Sequence, residues 1–385
     1  MKIALVSPYD FTYPGGANEH VAHLAAEYRT WGHDVCILAP AAPGRPQPAD
    51  PHFHAIGTPV TIRSNGSNAR ITLSLRLSRQ VKQLLAWERP DVIHLHEPLM
   101  PALPLTVLYH AEARTVGTFH AFSESNLGYF YARPLLQPFV ERLDARIAVS
   151  KPAAEFVSRY FGGDYTIIPN GIETARYGAH VAPLPEYRDG RPTILFVGRH
   201  DEPRKGFRYL LRAFGLVREQ FPAARLLVVG RGDIKRFADD LAGEKSQGVE
   251  FVGFVDNDTL PRYYVSCDVF CAPSTKGESF GLILLEAMAS ARAVVASRIP
   301  GYASVISHGE DGWLVPPQDA VGLALALVRL LADRDTRERI ALAGWRTAQR
   351  YSWAEIARRV FAVYQGQPAT APNLALAEEA MVGAS

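Results

Sequence analysis

The 385-residue chain has little cysteine, no long apolar run and almost no charge imbalance, and each shortage excludes a class. Three cysteines, an odd count in a chain this long, do not make a disulfide framework. Cys267 and Cys271 sit in an apolar run without neighbouring Cys or His pairs, so buried free thiols are expected there rather than metal ligands. No stretch reaches the ~18 uninterrupted apolar residues that a membrane span needs. After Met1 and Lys2 the first apolar run ends at Val6, too short for a signal-peptide core, and a reducing cytoplasm is the expected compartment. Lys plus Arg number 41 and Asp plus Glu 39, so no nucleic-acid partner is expected from the net charge of +2. Tandem short repeats are absent as well.

What is present is an ordinary globular composition, 48% hydrophobic and 21% charged, which argues against disordered, collagen-like and coiled-coil chains. The length suits two domains, each able to bury its own core. Short β-branched runs alternate with longer amphipathic segments, the pattern of βαβ units and a parallel sheet. In the first half the expected strands are residues 2–6, 34–38, 92–95, 115–118, 146–149 and 166–168. The pattern restarts with 193–197, 225–229, 250–252, 269–272, 293–296 and 312–315. A boundary is expected in 174–192, where Gly178, Pro183, Pro185, Gly190 and Pro192 interrupt any periodicity. The expectation is therefore an α/β chain of two doubly wound domains, residues 1–173 and 191–350. A last helix, 353–365, packs back on the first domain, and a loose tail spans 366–385.

Several groups could carry chemistry. The first strand runs into Gly15-Gly16 and a helix with Val21, Leu24, Ala25 and Tyr28 on one face. Such glycines let a backbone approach a phosphate at a helix N-terminus, or they make a plain βα turn with Asn18 as N-cap. Arg199 and Lys205 flank the end of the strand that opens the second domain, where open α/β sheets bind ligands, and together could clamp a diphosphate. A solvated loop containing Arg204 is the alternative.

The run GESFGLILLEAMA (277–289) places Glu286 among apolar neighbours, where a carboxylate needs a partner such as a ligand hydroxyl or a buried cation. Gly281 would start a helix there, leaving the amides of Phe280, Gly281 and Leu282 for an anion. Glu278 could instead lie on a solvated loop. His120 ends a strand, where it can meet substrate or satisfy a backbone carbonyl. His94 and His96 alternate on one strand and are expected on opposite sides of it. With His20 and His23 likewise lacking zinc-site spacing, no metal is expected.

Residues 63–89 hold six cations against one acid, Glu88. A helix is expected over 73–87, with Leu77, Leu84 and Trp87 among Arg76, Arg79 and Lys82. It serves either as a contact with anionic lipid headgroups or as a core-packed helix with a solvated basic face.

Taken together, Arg199 with Lys205 and the glutamates eight apart, Glu278 and Glu286, resemble the retaining nucleotide-sugar glycosyltransferases of family 4. The phrases PGGANEHV (14–21), NGSNAR (65–70), HLHEP (94–98) and GRHDEPRKG (198–206) are most similar to bacterial phosphatidylinositol mannosyltransferases. The resemblance covers almost the whole chain. It implies a GT-B fold, two Rossmann-like domains facing across a cleft, and transfer of a sugar, mannose from GDP-mannose, to phosphatidylinositol with retention of configuration. It also implies that Arg199 and Lys205 hold the donor diphosphate in place of a metal, with no cofactor. By the same resemblance Glu286 takes the ribose, Glu278 the transferred sugar and the Gly15-Gly16 backbone the phosphate. His120 lies beside the sugar, Val255 near the base, and Tyr9, Asn18 and Arg70 on the acceptor side. The implied partners are the nucleotide sugar, a lipid acceptor and the anionic inner face of the cell membrane, touched by Arg76, Arg79 and Lys82. This chain departs from the family pattern at Asn18, Leu99 and Ala121, where Gln, Asn and Thr are expected. A related transferase with another donor or acceptor (a glucosyl-glycerolipid or exopolysaccharide enzyme) is the alternative, and an inactive nucleotide binder or an epimerase of the same fold is a third reading.

Overall fold

Every run expected as a strand forms one, within two residues of the expected ends, and each pairs in parallel with its sheet neighbours. The computed structural model describes residues 1–369 except 14, 65–66, 122–126, 179 and 279; the part of the tail from 370 onward lies outside the described residues. The chain divides into two compact units, one of residues 1–171 with 353–371 and one centred on 172–352.

Unit 1 begins with β1 (Lys2–Val6), α1 (Gly16–Thr30), β2 (Asp34–Ala39) and β3 (Phe53–Ala55). A hairpin of β4 (Val60–Ser64) and β5 (Ser67–Ile71) precedes α2 (Ser78–Glu88). There follow β6 (Val92–His96), α3 (Leu103–His110), β7 (Arg114–Phe119), α4 (Leu127–Glu141), β8 (Ala145–Ala148), α5 (Lys151–Ser158) and β9 (Thr166–Ile167). The sheet order is β3-β2-β1-β6-β7-β8-β9, so the winding reverses between β1 and β6.

Unit 2 holds β10 (Thr193–Val197), α6 (Phe207–Gln220), β11 (Arg225–Val229), β12 (Val249–Gly253), α7 (Leu260–Ser266) and β13 (Val269–Ala272). It continues with α8 (Leu282–Ala289), β14 (Ala293–Ser297), α9 (Pro300–Ala303), β15 (Trp313–Val315), α10 (Ala320–Ala332) and α11 (Arg334–Gln349). Its order, β12-β11-β10-β13-β14-β15, reverses between β10 and β13. Open sheets of this kind bind ligands beyond the strand carboxyl ends at the reversal.

Helices cover both faces of each sheet because each carries one apolar stripe. On α6 the stripe is Phe207, Leu210, Leu211, Phe214 and Val217, all buried against β10, β11 and α10. Gly206, just before α6, has φ 69°, and a Cβ there would lie 1.9 Å from the Pro273 carbonyl oxygen, so the loops after β10 and β13 touch only because this residue is glycine.

The last helix, α12 (Trp353–Tyr364), belongs to unit 1. Ile356, Ala357, Val360 and Tyr364 pack with Leu24 and Tyr28 of α1 and Ile3 and Leu5 of β1. Residues 174–190, expected as a linker, pack instead with unit 2. Tyr177 and Leu184 enter its core, and Asp189 forms an ion pair with buried Arg225 at 2.6 Å. Two buried apolar side chains suffice to fix a segment that shows no periodicity.

Candidate functional site

In unit 2 the loops leaving β10 and β13 (residues 198–206 and 273–281) bring three of the expected site residues, Arg199, Lys205 and Glu278, together. Lys205 Nζ and the Arg204 guanidinium both donate to Oε1 of Glu278, each at 2.7 Å. Arg204 also pairs with Glu202 at 2.8 Å, and Glu202 in turn pairs with Arg199 at 3.1 Å. The result is one mesh of three cations threaded on two carboxylates. The Thr275 amide donates to the Arg204 carbonyl at 2.7 Å, which sews the two loops together. Arg199 remains 66% exposed and can therefore turn to a ligand, while Lys205 is 15% exposed and aimed at Glu278. Arg204, taken from sequence only as a reason to suspect a solvated loop, is part of the mesh. Glu278 is not on a free solvated loop, because two cations hold it.

Beside the mesh opens a pocket of about 670 Å³ lined by Gly198, Arg199, Gly230, Phe254, Val255 and Asn257, among others. Arg231 stacks its guanidinium 4.5 Å from the Phe254 ring centroid at its rim. Glu286, on α8, accepts a hydrogen bond from the Tyr264 hydroxyl at 2.7 Å, and the Tyr177 phenol also bonds to it. The partner of this carboxylate is thus a pair of phenols, a possibility the apolar flanks of Glu286 did not reveal. Gly281 caps α8 with φ 93°, and the amides of Phe280, Gly281 and Leu282 have no acceptor among the described residues. Phe280 itself is buried against Tyr351.

In unit 1 the corresponding reversal collects histidines. His20 comes from α1, His96 from the end of β6 and His120 from the residue after β7. His96 Nδ1 and His120 Nε2 are 2.8 Å apart, and the His20 ring meets both edge-on with centroids 5.1 and 5.2 Å away. The expectation that His94 and His96 point apart is wrong, because strand side chains repeat every two residues and share a face. Their ring centroids lie 4.4 Å apart, and His94 is held by Tyr364 at 2.6 Å and Thr118 at 2.7 Å.

Burial drives all four imidazoles toward the neutral form, His20 to about 4 and His94 to about 3, with His96 and His120 well below their ordinary value. Ligand atoms of His20, His96 and His120 fall within 4.8 Å of one another, a set that could reach a metal ion. The Nε2 atoms of His20 and His96 are buried with no hydrogen-bond partner among the described residues.

Glu97, in the HLHEP run, has no role that the sequence reveals. It is 3% exposed, at φ 50°, and its Oε1 accepts from the amides of His120 and Ala121 at 2.7 Å each. Burial pushes its carboxyl up to about 7, against the pull of those two amides. Glu97 therefore fixes the backbone that carries His120.

Of the acceptor-side candidates, Asn18 has no spare hydrogen. Its Nδ2 donates to the carbonyls of Asp10 and Tyr13, and its Oδ1 accepts from Ser7 at 2.6 Å. It is not the N-cap of α1 either, since that position is Gly15 with no side-chain cap. Asn18 holds the loop of residues 7–13. Tyr9 bridges to Ile71 of the hairpin, and burial raises its phenol pKa. Arg70 lies 3.3 Å from Asp10 and stacks on Tyr13 at 3.9 Å, opposite Arg45 at 3.8 Å. Neither Gly15 nor Gly16 is demanded by the fold, because a Cβ at either would meet nothing within 4 Å.

The basic helix is shorter than expected. Leu75–Leu77 is a 3₁₀ turn capped by Ser74, and α2 starts at Ser78. Arg76, Arg79 and Lys82 are exposed, as expected. Leu77 and Leu84 turn to the core, so of the three apolar residues only Trp87, 72% exposed, remains outside. No helix among the described residues is long and apolar enough to cross a membrane.

Comparison with known proteins agrees with both units. Residues 14–176 match the model described as Glycosyltransferase Family 4, and residues 191–333 match that described as Glycosyl transferases group 1. Phosphatidyl-myo-inositol mannosyltransferase of Mycolicibacterium smegmatis is 40% identical over 369 residues, covering 95% of this chain and 94% of that one. The protein of the same name from Propionibacterium freudenreichii is 35% identical over 374 residues, covering 94% of each. Among solved structures, sucrose-phosphate synthase from Thermosynechococcus elongatus superimposes with TM-score 0.70 at 25% identity, over 95% of this chain and 98% of that one. Anabaena HepE in complex with UDP gives 0.74 at 19% identity, over 95% and 100%. The two sheets, their reversal points and these relationships make the fold GT-B and the protein a glycosyltransferase: the chain belongs to glycosyltransferase family 4, among the phosphatidyl-myo-inositol mannosyltransferases.

Proposed function

We propose that the protein transfers mannose from GDP-mannose to phosphatidylinositol, with retention at the anomeric carbon and without a metal at the diphosphate. The observation that carries this reading is the cation mesh at the β10/β13 reversal beside a pocket large enough for a nucleoside. In the reaction the bond from the sugar C1 to the diphosphate oxygen breaks, and the acceptor hydroxyl forms the new C1–O bond on the same face. The hydroxyl proton leaves with the nucleoside diphosphate. Arg199 and Lys205 stabilise the charge that develops on that leaving group, a contribution of the electrostatic kind that usually dominates transfer chemistry. The amides at the start of α8, without an acceptor among the described residues, add to it.

Glu286, already hydrogen-bonded by two phenols, is placed to accept from ribose hydroxyls, and Glu278 to accept from the sugar once a diphosphate draws Lys205 away. Val255 contacts the base from the pocket wall. His120, held neutral, hydrogen-bonds a sugar hydroxyl without adding a positive charge near a C1 that is itself becoming cationic. The open space at Gly15 and Gly16 suits a phosphate approaching the start of α1. Tyr9 and Arg70 face the acceptor, with Asn18 acting through the loop it holds.

Membrane contact at the inner face of the cell membrane is part of the same reading. Arg76, Arg79 and Lys82 are exposed, and Trp87, Tyr109, Phe130, Tyr131 and Leu135 on α2, α3 and α4 are each more than 60% exposed. Exposed aromatics beside cations fit the interface of an anionic bilayer. One observation favours a different acceptor: Leu99, where the family pattern has Asn, is 3% exposed and packs in the core, so it offers an acceptor nothing.

The test is nucleoside diphosphate release from a panel of nucleotide sugars, with and without phosphatidylinositol vesicles. GDP-mannose turnover that rises on adding the vesicles supports the reading. Turnover of another donor, or of GDP-mannose only with a soluble acceptor, replaces it with the related-transferase reading.

A further inference from the structure

A second cluster lies in unit 1 away from either set of catalytic candidates. Cys36 of β2 and His54 of β3 project from the same face, because His54 pairs with Leu38, two residues beyond Cys36. Glu88, the last residue of α2, reaches down onto them. The carboxylate is divided: Oε2 pairs with Lys2 Nζ at 2.7 Å and Oε1 meets His54 Nε2 at 2.6 Å. Cys36 and Glu88 are buried, while His54 keeps 21% of its side chain open under the edge of the Trp87 ring. One atom from each of Cys36, His54 and Glu88 falls within 4.8 Å of the others.

We propose that Cys36 Sγ, His54 Nε2 and Glu88 Oε1 form a binding site for a single zinc-like divalent ion.

The chemistry of the set argues for a borderline ion, since thiolate, imidazole and carboxylate are the three ligand types zinc accepts. Charge argues for it too. Lys2 lies between Glu88 and Asp34, the latter at 3.3 Å, so two carboxylates share one ammonium and the cluster carries a net negative charge. On binding, Cys36 loses its proton to solvent. The ion's two positive charges then meet the thiolate and the existing excess carboxylate, and the whole group becomes neutral. Lys2 stays on Oε2 as an outer partner of the ligating carboxylate, the arrangement that orients metal ligands elsewhere. With bond lengths of roughly 2.0–2.3 Å, ligand atoms around zinc stand about 3.3–3.8 Å apart. The His54–Glu88 contact, 2.6 Å, must therefore open by about 1 Å to admit the ion, within the reach of side-chain rotation. The exposed edge of His54 gives the entry path and leaves a fourth position for water. Three separate elements, β2, β3 and the end of α2, would be tied by one ion.

Cobalt(II) titrated into metal-free full-length protein tests this, because a thiolate ligand gives a near-ultraviolet charge-transfer band that other ligands do not. The expected result is a band saturating at one equivalent, abolished by added zinc and missing in Cys36→Ser. Cys36 is fully buried, so His54→Ala, at a half-open position, is the second variant and should weaken cobalt binding at least tenfold while keeping the native circular dichroism. Zinc should also raise the thermal midpoint of the unmodified protein and not of His54→Ala. No band, a band unchanged in Cys36→Ser (pointing to Cys267 or Cys271), or full affinity in His54→Ala would each overturn the proposal. In that case Lys2, Glu88 and His54 are a structural ion-pair triad.

Discussion

At the reversal point of the second sheet, Arg199, Arg204 and Lys205 stand against Glu202 and Glu278, every one of them in some contact with solvent. At the reversal point of the first sheet, His20, His94 and His96 are buried beside half-open His120, and burial keeps all four uncharged. The winding of the two sheets is the same; what differs is the charge each strand end can offer. A mesh of pre-paired cations can exchange a carboxylate for a diphosphate with little reorganisation. A neutral, buried cluster in which His20 Nε2 and His96 Nε2 have no partner among the described residues can position hydroxyl groups but would be a poor host for an anion. The division of labour between nucleotide and sugar follows from burial, not from topology.

The sharpest way to break this comparison is to loosen the neutral end without touching charge elsewhere. Glu97→Ala leaves two amides unsatisfied and frees the His120 backbone. Turnover should fall by on the order of 100-fold, the loss associated with a displacement of about 1 Å at a reacting group. Glu97→Gln should recover most of it, because an amide oxygen can still accept from both N–H groups. Nucleoside diphosphate affinity should be unchanged in both variants; a parallel loss would show that Glu97 serves the fold of the whole protein rather than His120.

At the charged end, Glu286→Gln should weaken the free nucleoside diphosphate about tenfold, the value of a hydrogen bond to a charged group. Glu278→Gln should spare or even strengthen that affinity, since it releases Lys205 and Arg204, while slowing turnover of the sugar donor. Calorimetry showing equal losses would merge the two roles.

Acid should separate the units. The native values of His20 and His94, about 4 and about 3, lie below the unfolded value of 6.5, so the unfolded chain binds more protons between them. Their stabilisation is complete above 6.5 and is lost as the pH falls toward those native values. His96 and His120 act in the same direction. Glu97, raised from 4.5 to about 7, opposes them by gaining stability as the pH falls through that window, as does raised Glu27, while lowered His33 acts with the other imidazoles. Among the described residues of unit 2, only His200 and His308 are lowered in this way. Hydrogen exchange, corrected for intrinsic rates, should show unit 1 opening before unit 2 between about pH 7 and about pH 5. Simultaneous opening would mean that the imidazoles do not govern it.

The smallest expected effect is on lipid. Lys82→Ser should reduce binding to anionic vesicles about fivefold at low salt, the worth of roughly 1 kcal/mol for one cation near a charged surface, and should vanish as salt is added. Flotation with no difference at low salt would make the exposed face of α2 an ordinary solvated surface.

What could be read from the sequence follows the same contrast. Part of the unit 2 site was legible because it is local: Arg199 and Lys205 lie six apart after one strand, and Glu278 and Glu286 eight apart around one helix start, whereas Glu202 and Arg204 join the mesh only through the pairing of two distant loops. The histidine cluster was not, because His20, His96 and His120 come from three elements, and because His94 and His96 were assigned to opposite faces where a period of two puts them on one. The hairpin β4–β5 went unseen since each of its strands is only five residues long, too short for the alternation of Val60 and Ile62 with polar neighbours to stand out. The start of α2 was placed too early because Leu73 and Leu77, four apart, suggest an α-helix where the chain instead makes a 3₁₀ turn over Leu75–Leu77. Residues 174–190 looked like a linker because Tyr177 and Leu184 are too far apart to make a pattern, yet each finds a place in a core.

The most direct test is calorimetric titration of GDP into two variants side by side, Arg199→Ala with Lys205→Ala, and His120→Ala. The account predicts at least a 100-fold loss of affinity in the first, from removal of two charged contacts worth roughly 2–5 kcal/mol, and wild-type affinity in the second, whose defect appears only in sugar transfer. Unchanged GDP binding without Arg199 and Lys205, or GDP binding lost without His120, would contradict it.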